Sequence, residues 1–417
     1  MLKRPELFRG REFFYALGVF LLIFLFSLSY EYYSYQKFAS DGNVTLTCKV
    51  TNQYIKHKFR DFYMLKLDCG EVNIYTAKPL KIGDVMEKNV RAEFDLSHLD
   101  FLGYLKGFYA KSRDFYAFED ESFKAKLNAD IASQHENKEV ATIYKALYTA
   151  APEDLVLRQK VATLGLSHTV SISGFHLGLL SGVLFFLFGA FYRPIHSRYF
   201  PYRNSSRDLF LIVIIFLFTY VWFLSFIPPL LRSFGMLIVG YLLYDRGFKL
   251  LSMATLLLTI LLLLAFFPRL LFSLSFWLSA SGVFYIFLFS LYYEKINKVL
   301  FFFLFPIFVY LAMLPFSLTI FGIFSLVHPL SIVWDEIFIL FYPLSILLHV
   351  SGFGGVLDPL LLKLLSLSDT QNSLHVSYFF LYLHLVLSLL AVKWRNFFYL
   401  LVFESFALFI YAIYYVA

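Results

Sequence analysis

The densest set of chemically capable side chains lies between residues 165 and 178. This stretch holds three serines, two histidines and three glycines inside an otherwise apolar region. Polar groups are costly to bury in lipid, so those within membrane segments are candidates for function. His168 and His176 are eight residues apart, about 80° around an α-helix, so a continuous helix would place them on one face. The glycines and serines allow the backbone to break or a neighbouring helix to approach closely. Helix packing with interfacial histidines is the alternative interpretation.

Two further sites interrupt apolar sequence downstream. Pro228 and Pro229 precede Arg232, whose side chain either reaches an interface or lines a polar path. The adjacent acids Asp335 and Glu336 either pair with Arg232 or mark a loop. The candidates for a translocation path are therefore Ser167, His168, Ser171, Ser173, Gly174, His176, Arg232, Asp335 and Glu336.

Motifs for soluble enzyme chemistry are missing from the sequence. It has no Gly-x-x-x-x-Gly-Lys phosphate loop, no His-Glu-x-x-His and no Gly-x-Ser-x-Gly. The histidines are scattered, and two cysteines do not build a cysteine-rich metal site. We expect neither a metal nor a cofactor, and no catalytic residues.

The elements that position these residues are membrane helices. The 417 residues are 59% hydrophobic and 16% charged, with a mean hydropathy of +0.67. That composition excludes a soluble protein for most of the chain, and apolar runs beyond 18 residues indicate several spans. The candidate spans after the first are 168–190, 208–227, 229–244, 250–267, 270–292, 299–315, 327–349, 376–392 and 397–416.

Residues 13–30 form the first apolar run, and the segment before it is rich in Lys and Arg. No small-residue cleavage site follows the run, so we interpret it as a retained span. The positive-inside rule places the N-terminus in the cytoplasm and the following domain on the far side of the membrane.

The stretch 42–97 reads as a small exported β domain. Val44, Leu46, Cys48 and Val50 alternate with polar residues, and three later segments do the same. Four or five short strands fit a small barrel, for which an OB-like fold is one candidate. Cys48 and Cys69 both fall on the inward face, where an exported domain permits a disulfide. Two buried free thiols are the alternative.

Cations alternate with aromatic side chains between the first two predicted strands. Such a pattern suits binding of single-stranded nucleic acid, with phosphates held by cations and bases stacked on rings. A solvated hairpin has the same sequence pattern. The candidates are Tyr54, Lys56, Lys58, Phe59 and Arg60.

The residues from 164 to 178 closely resemble the hallmark of ComEC-type competence proteins, Gly-Leu-Ser-His-Leu-x-Ala-Ile-Ser-Gly-Leu-His-x-Gly. This chain has Ser171 where Ala is usual and Phe175 where Leu is usual. Leu231–Met236 is similar to the family's Leu-Arg-Ala-x-x-Met element, with Ser233 in place of Ala.

This resemblance implies a multi-pass inner-membrane channel that passes transforming single-stranded DNA into the cytoplasm. It also implies a periplasmic DNA receptor and a cytoplasmic motor as partners, besides the lipid bilayer and a possible homo-oligomer. Many members carry a C-terminal metallo-β-lactamase-like domain. We expect this chain to lack it, so a nuclease for the other strand would be a separate protein.

The predicted fold is a polytopic α-helical membrane protein with an N-terminal exported OB-like β-barrel. The predicted parts are 1–30 with the first span, 31–97 as the β domain, 98–165 as an amphipathic helical connector, and 166–417 as the membrane domain. The competing hypotheses are a membrane-embedded hydrolase or transferase that uses His168, His176 and Asp335, and a small-solute transporter. A transporter would show internal repeats, and none is obvious.

Overall fold

A computed structural model describes residues 11–40, 42–57, 61–70, 72–245, 252–293, 295–368 and 372–416. The chain begins with helix α1 (Arg11–Ala39), whose apolar stretch is long enough to cross a membrane. The helix extends nine residues past the predicted boundary at residue 30. The C-terminal part of α1 belongs to the β domain, because Leu28, Tyr35 and Phe38 pack on the core of that domain.

A six-stranded sheet follows α1. Its strands are β1 (Asn43–Lys56), β2 (Phe62–Asp68), β3 (Asn73–Pro79), β4 (Asn89–Asp95), β5 (Phe108–Tyr109) and β6 (Ser112–Phe118), with the short helix α2 (Phe101–Lys106) before β5. Alternate residues of β1, β2 and β4 are buried, as period-two patterning predicts for a sheet with one covered face.

The strand order is β5-β3-β2-β1-β4-β6, so the sheet is not a closed barrel and the OB-like barrel is not confirmed. The sheet also extends beyond the predicted boundary at residue 97. β6 escaped prediction because Asp114 has a φ of +46° and the pairing register with β4 shifts there, which breaks the alternation that identifies a strand.

The predicted disulfide is confirmed. Cys48 and Cys69 are bonded, and they join the hairpin of β1 and β2 one step beyond the paired residues Lys49 and Asp68. Cys48 is buried in the core and Cys69 packs against it.

Three helices connect the sheet to the membrane region within the predicted helical connector 98–165, whose first part holds α2, β5 and β6 of the β domain instead. The three helices are α3 (Phe123–Ser133), α4 (Lys138–Thr149) and α5 (Leu155–Thr163), capped at their N-termini by Ser122, Asn137 and Asp154. The apolar faces of these helices share one core with the C-terminal half of the chain, through Phe338, Phe341 and Leu361.

The remaining chain is almost entirely helical. Its elements are α6 (Ser167–Val170), α7 (Gly174–Tyr199), α8 (Ser205–Phe223), α9 (Pro228–Asp245), α10 (Met253–Phe266), α11 (Leu274–Tyr293), α12 (Lys298–Phe316), β7 (Ile323–Phe324), α13 (Ser331–Val350), α14 (Asp358–Leu365), β8 (Asn372–Ser373), α15 (Tyr378–Ala391) and α16 (Arg395–Val416).

Seven helices among the described residues are long and apolar enough to span a membrane: α1, α7, α8, α11, α12, α13 and α16. Three shorter apolar helices, α9, α10 and α15, coincide with other predicted spans. The chain is therefore a multi-pass helical membrane protein. The predicted span 168–190 is not one helix, because it is broken at residues 171–173.

Candidate functional site

The break between α6 and α7 lies at the centre of the polar motif. Ser171 and Ser173 are both extended, and Ser173 caps α7 by accepting a hydrogen bond from the backbone N–H of Phe175 at 3.3 Å. His176 Nδ1 accepts a hydrogen bond from the Ser173 N–H at 3.2 Å. The prediction that His168 and His176 share one helix face is therefore wrong, since Ser and Gly favour a capped break over a continuous helix here.

The α6 side of the break contacts α13. His168 Nε2 lies 2.9 Å from one carboxylate oxygen of Asp335, and Thr169 donates its hydroxyl to the other at 2.6 Å. Asp335 thus pairs with His168, and both acids lie within α13. The suggested pairing with Arg232 and the alternative of a loop are therefore both wrong. Glu336 is half-buried and makes no hydrogen bond with any described residue.

Ser167, His168 and Ser171 are exposed on the surface of α6. Ser171 donates its hydroxyl to the Ser167 carbonyl at 2.6 Å, which satisfies the hydroxyl proton within the helix itself. Exposed polar side chains in a membrane domain face water or another protein in preference to lipid. This surface of α6 is therefore a candidate lining for an aqueous path.

The α7 side of the break contacts α9 at Arg232. Arg232 is 4% exposed, and it donates to Ser279 Oγ at 3.0 Å, to Ser233 Oγ at 2.8 Å and to the sulfur of Met236 at 3.0 Å. These acceptors are all neutral, and Arg232 forms no ion pair with any carboxylate that the structure describes. Burial of a guanidinium without a counter-charge is costly, so Arg232 is a candidate functional residue.

Arg232 stands directly at the first turn of α7. A Cβ added to Gly174 would lie 2.9 Å from Arg232 Nη2 and 2.9 Å from Ser233 Cβ. Only glycine therefore allows α9 to approach this closely. The first N–H groups of a helix carry partial positive charge, so they add to the positive potential of Arg232.

His176 lies between the two sides of the site. It is fully buried, with ring centroids 5.1 Å from Phe338 and 4.8 Å from Tyr342. Its Nδ1 accepts the Ser173 N–H, so Nε2 carries the proton of the neutral ring, and Nε2 has no partner among the described residues. A buried donor without an acceptor is unusual and calls for an explanation.

A cavity of about 700 Å³ opens on the other side of Tyr342. It lies between connector helices α3 and α4 and membrane helices α7, α8 and α13, and its polar lining includes Gln134, Tyr148, Tyr220, Tyr342 and His349. The sequence analysis missed these tyrosines. Nothing in the sequence distinguishes them from the rest of the chain's 30 tyrosines.

Two of the predicted nucleic-acid contacts, Tyr54 and Lys56, lie near the end of β1. Tyr54 is half-buried and Lys56 is exposed, and Lys56 pairs with Phe62 at the last described step of the ladder. Lys58, Phe59 and Arg60 lie outside the described residues. Within the described part of the chain, no group of three or more His, Cys, Asp or Glu side chains is arranged to hold a metal ion.

These observations define a polytopic helical membrane protein in which an N-terminal β domain is followed by a polar break between helices α6 and α7. The family model described as "Competence protein" matches residues 154–417, which is more than half of the chain. The chain belongs to the competence protein family, as the hallmark around residues 165–178 predicts. No curated protein and no solved structure matches it.

Proposed function

We propose that this protein is the channel through which transforming single-stranded DNA crosses the cytoplasmic membrane, with the α6–α7 break lining the path. The observation that carries the proposal is the burial of Arg232, without a carboxylate partner among the described residues, against the first turn of α7. A phosphodiester is the anion that would complete this site, because competence proteins serve DNA uptake.

Three groups at the break offer hydrogen-bond donors toward an anion. They are the Arg232 guanidinium, the unpartnered Nε2–H of His176 and the Gly174 N–H at the first position of α7, whose following N–H groups are capped by Ser173. The acidic side chain on the opposite side, Asp335, has both oxygens bound by His168 and Thr169. Its charge is thereby partly compensated, which reduces repulsion of a passing phosphate.

The end of β1 offers a first contact for DNA in the β domain. We propose that Tyr54, Lys56, Lys58, Phe59 and Arg60 hold the incoming strand by stacking and by phosphate contacts. We also propose that the sheet acts as an opened OB-like platform. Its two end strands β5 and β6 are consecutive, separated only by Ala110 and Lys111.

In this proposal the protein lies in the inner membrane with the N-terminus in the cytoplasm and the β domain on the periplasmic side. The periplasmic DNA receptor delivers the strand, and a cytoplasmic motor draws it inward. The channel is one protomer or a homo-oligomer, and the protein performs no catalysis.

The decisive experiment substitutes Arg232 in cells whose chromosomal gene is deleted. Labelled DNA is followed separately at the surface and in the cytoplasm, and membrane abundance is measured for each variant. We expect Arg232→Ala to abolish cytoplasmic entry with normal surface binding. Arg232→Lys keeps the charge but loses the planar fork, so partial entry is expected.

The control is Arg198→Ala, which removes an exposed cation near the end of α7. It should leave entry near the wild-type level. Full entry with Arg232→Ala at normal abundance would show that Arg232 only packs α9, and the proposal would fail.

A further inference from the structure

A second polar cluster lies where the connector meets the far end of α13. His135, in the turn between α3 and α4, has a side chain that is 0% exposed. Its Nδ1 lies 2.9 and 3.0 Å from the two carboxylate oxygens of Asp358, the first residue of α14. Its Nε2 lies 3.0 Å from Nε2 of His349 in α13.

The partners of His349 fix where its ring protons reside. His349 Nδ1 lies 2.7 Å from the Ser345 carbonyl oxygen, which only accepts hydrogen bonds. Tyr148 also approaches this nitrogen at 3.2 Å, but Tyr148 donates its single proton to Ser345 Oγ at 2.8 Å. His349 Nδ1 therefore faces two acceptors and must carry a hydrogen.

An ionised Asp358 only accepts, so His135 Nδ1 must also carry a hydrogen. Two neutral imidazoles would then point bare Nε2 lone pairs at each other across 3.0 Å. The contact is stable only when one further proton lies between the rings. The Nδ1 proton of His135 can move to Asp358 without changing the total number of protons. His135 Nε2 then still donates its hydrogen to His349 Nε2.

We propose that His135, His349 and Asp358 form a buried proton-binding site that pins the connector to α13. The bound state has one proton more than an ionised aspartate with two neutral histidines, and its net charge is zero. This inference is independent of the DNA channel, because it follows from hydrogen-bond accounting alone. The 3.0 Å separation fits an N–H···N hydrogen bond.

The other groups around the pair do not supply this proton. Tyr144 of α4 stacks on His135 with ring centroids 4.6 Å apart, and its hydroxyl has no partner among the described residues. Tyr148 of α4 is committed to Ser345, and Asp130 of α3 lies on the cavity rim. Asp358 of α14 is thus the acid that compensates the charge of the pair.

The site also bounds the cavity described above. Gln134 binds the His349 carbonyl at 3.3 Å and the Gly354 N–H at 2.9 Å, and both Gln134 and His349 line the cavity. Loss of the proton removes one attachment of the α3–α4 turn but leaves the Gln134 attachment. We therefore expect local loosening beside the cavity and an intact fold.

The test is nitrogen NMR on the full chain with isotope-labelled histidine in lipid nanodiscs at pH 7. We expect one hydrogen between the two Nε2 atoms, detected as a scalar coupling across the hydrogen bond. The four ring nitrogens then carry three protons when Asp358 is ionised and two when Asp358 holds the third. Resonances are assigned with His135→Asn and, should that variant fold poorly, with His349→Asn. The exposed His57, which contacts Asp61, serves as the internal control. Its ring is open to water, so it should show no coupling to a second histidine ring.

Asp358→Asn removes the compensating charge while preserving shape. We expect this variant to hold one proton fewer at pH 7 with unchanged amide exchange in β1, because its amide can donate to His135 Nδ1 while His135 Nε2 donates to His349. Two bare Nε2 atoms in the wild-type protein would overturn the proposal. Wild-type signals that change on addition of EDTA would also overturn it, because a metal ion would then occupy the place of the proton.

Discussion

At the scale of single residues, Gly174 shows how closely two helices meet at the polar break. A methyl group there would lie 2.9 Å from both Arg232 Nη2 and Ser233 Cβ, whereas Gly178 and Gly182 of the same helix have open space. We expect Gly174→Ala to destabilise the protein by about 1–3 kcal/mol through overpacking. Gly178→Ala and Gly182→Ala should be neutral or slightly stabilising, because alanine favours helix.

Thermal unfolding of the purified variants in detergent measures these differences. The comparison is informative because the three substitutions add the same methyl group to one helix. Equal melting temperatures for all three would contradict the close approach of α7 and α9.

His176 was predicted from its place in the motif, but its geometry could not be. The sequence shows a histidine near Ser173, yet only the fold shows that Nδ1 caps the helix while Nε2 is buried against Phe338 and Tyr342. Likewise, nothing local indicates that Asp335 bonds to Thr169, since 166 residues separate them. Contacts of long sequence separation depend on how helices pack, and apolar helices leave that packing weakly specified.

At the scale of elements, α13 links the motif to the C-terminal region. Asp335 in its first turns receives hydrogen bonds from α6, while the next residue, Glu336, receives none that the structure describes. We expect Asp335→Asn to lower DNA entry about tenfold at normal abundance, because the amide cannot accept from both His168 and Thr169. Glu336→Gln is the matched control, and labelled-DNA entry is the measurement.

If Glu336→Gln reduces entry as much as Asp335→Asn does, acidity of the segment matters and the specific pairing does not. If neither variant reduces entry, α6 is held to α13 by packing alone.

Helices were easier to predict than their interruptions. Long apolar runs reveal a span whatever its neighbours are, so α8, α11 and α16 fall close to their predicted limits. The break at Ser171–Ser173 and the bulged strand β6 depend on single residues with special backbone angles. Such positions do not alter average hydropathy, and so periodic patterns miss them.

At the scale of the whole molecule, ion pairs attach the β domain to the connector. Lys49 pairs with Asp120, Lys88 with Glu119, and Lys145 with Glu87. Partial burial alone would raise the pKa of Asp120, but hydrogen bonds from Lys49 and from Ser122 lower it to about 2. The ionised carboxylate is therefore favoured by folding.

A carboxyl group whose pKa is lower in the folded state stabilises the fold at pH values above its ordinary pKa. This stabilisation is lost as the pH falls toward the pKa of the folded state. We expect Asp120→Asn to lower the stability of the β domain by about 1 kcal/mol at pH 7. The difference from wild type should shrink between about pH 4 and pH 2, as the pKa of Asp120 near 2 requires. Unfolding monitored by circular dichroism across this range measures it, and a pH-independent difference would exclude the ion pair as the cause.

A final contact joins α1, the β domain and the membrane region at Arg269, just after α10. Its guanidinium binds both carboxylate oxygens of Glu31 in α1, at 2.9 and 2.7 Å, and it stacks 4.8 Å from the ring centroid of Tyr104 in α2. The contact brings the last third of α1 next to the end of α10.

We expect Arg269→Lys to weaken this junction, because lysine keeps the charge but loses both the fork and the planar stacking. Charged bidentate hydrogen bonds contribute about 1.5–3 kcal/mol each, and lysine retains roughly one of the two. Proteolysis of the β domain in intact nanodiscs should therefore accelerate in Arg269→Lys and further in Arg269→Ala. Arg113→Lys is the matched control, since the Arg113 side chain is exposed on β6 and makes no hydrogen bond or ion pair among the described residues. Unchanged proteolysis in Arg269→Ala would mean that apolar packing of Leu28, Tyr35 and Phe38 on the sheet is sufficient to orient the β domain against the membrane region.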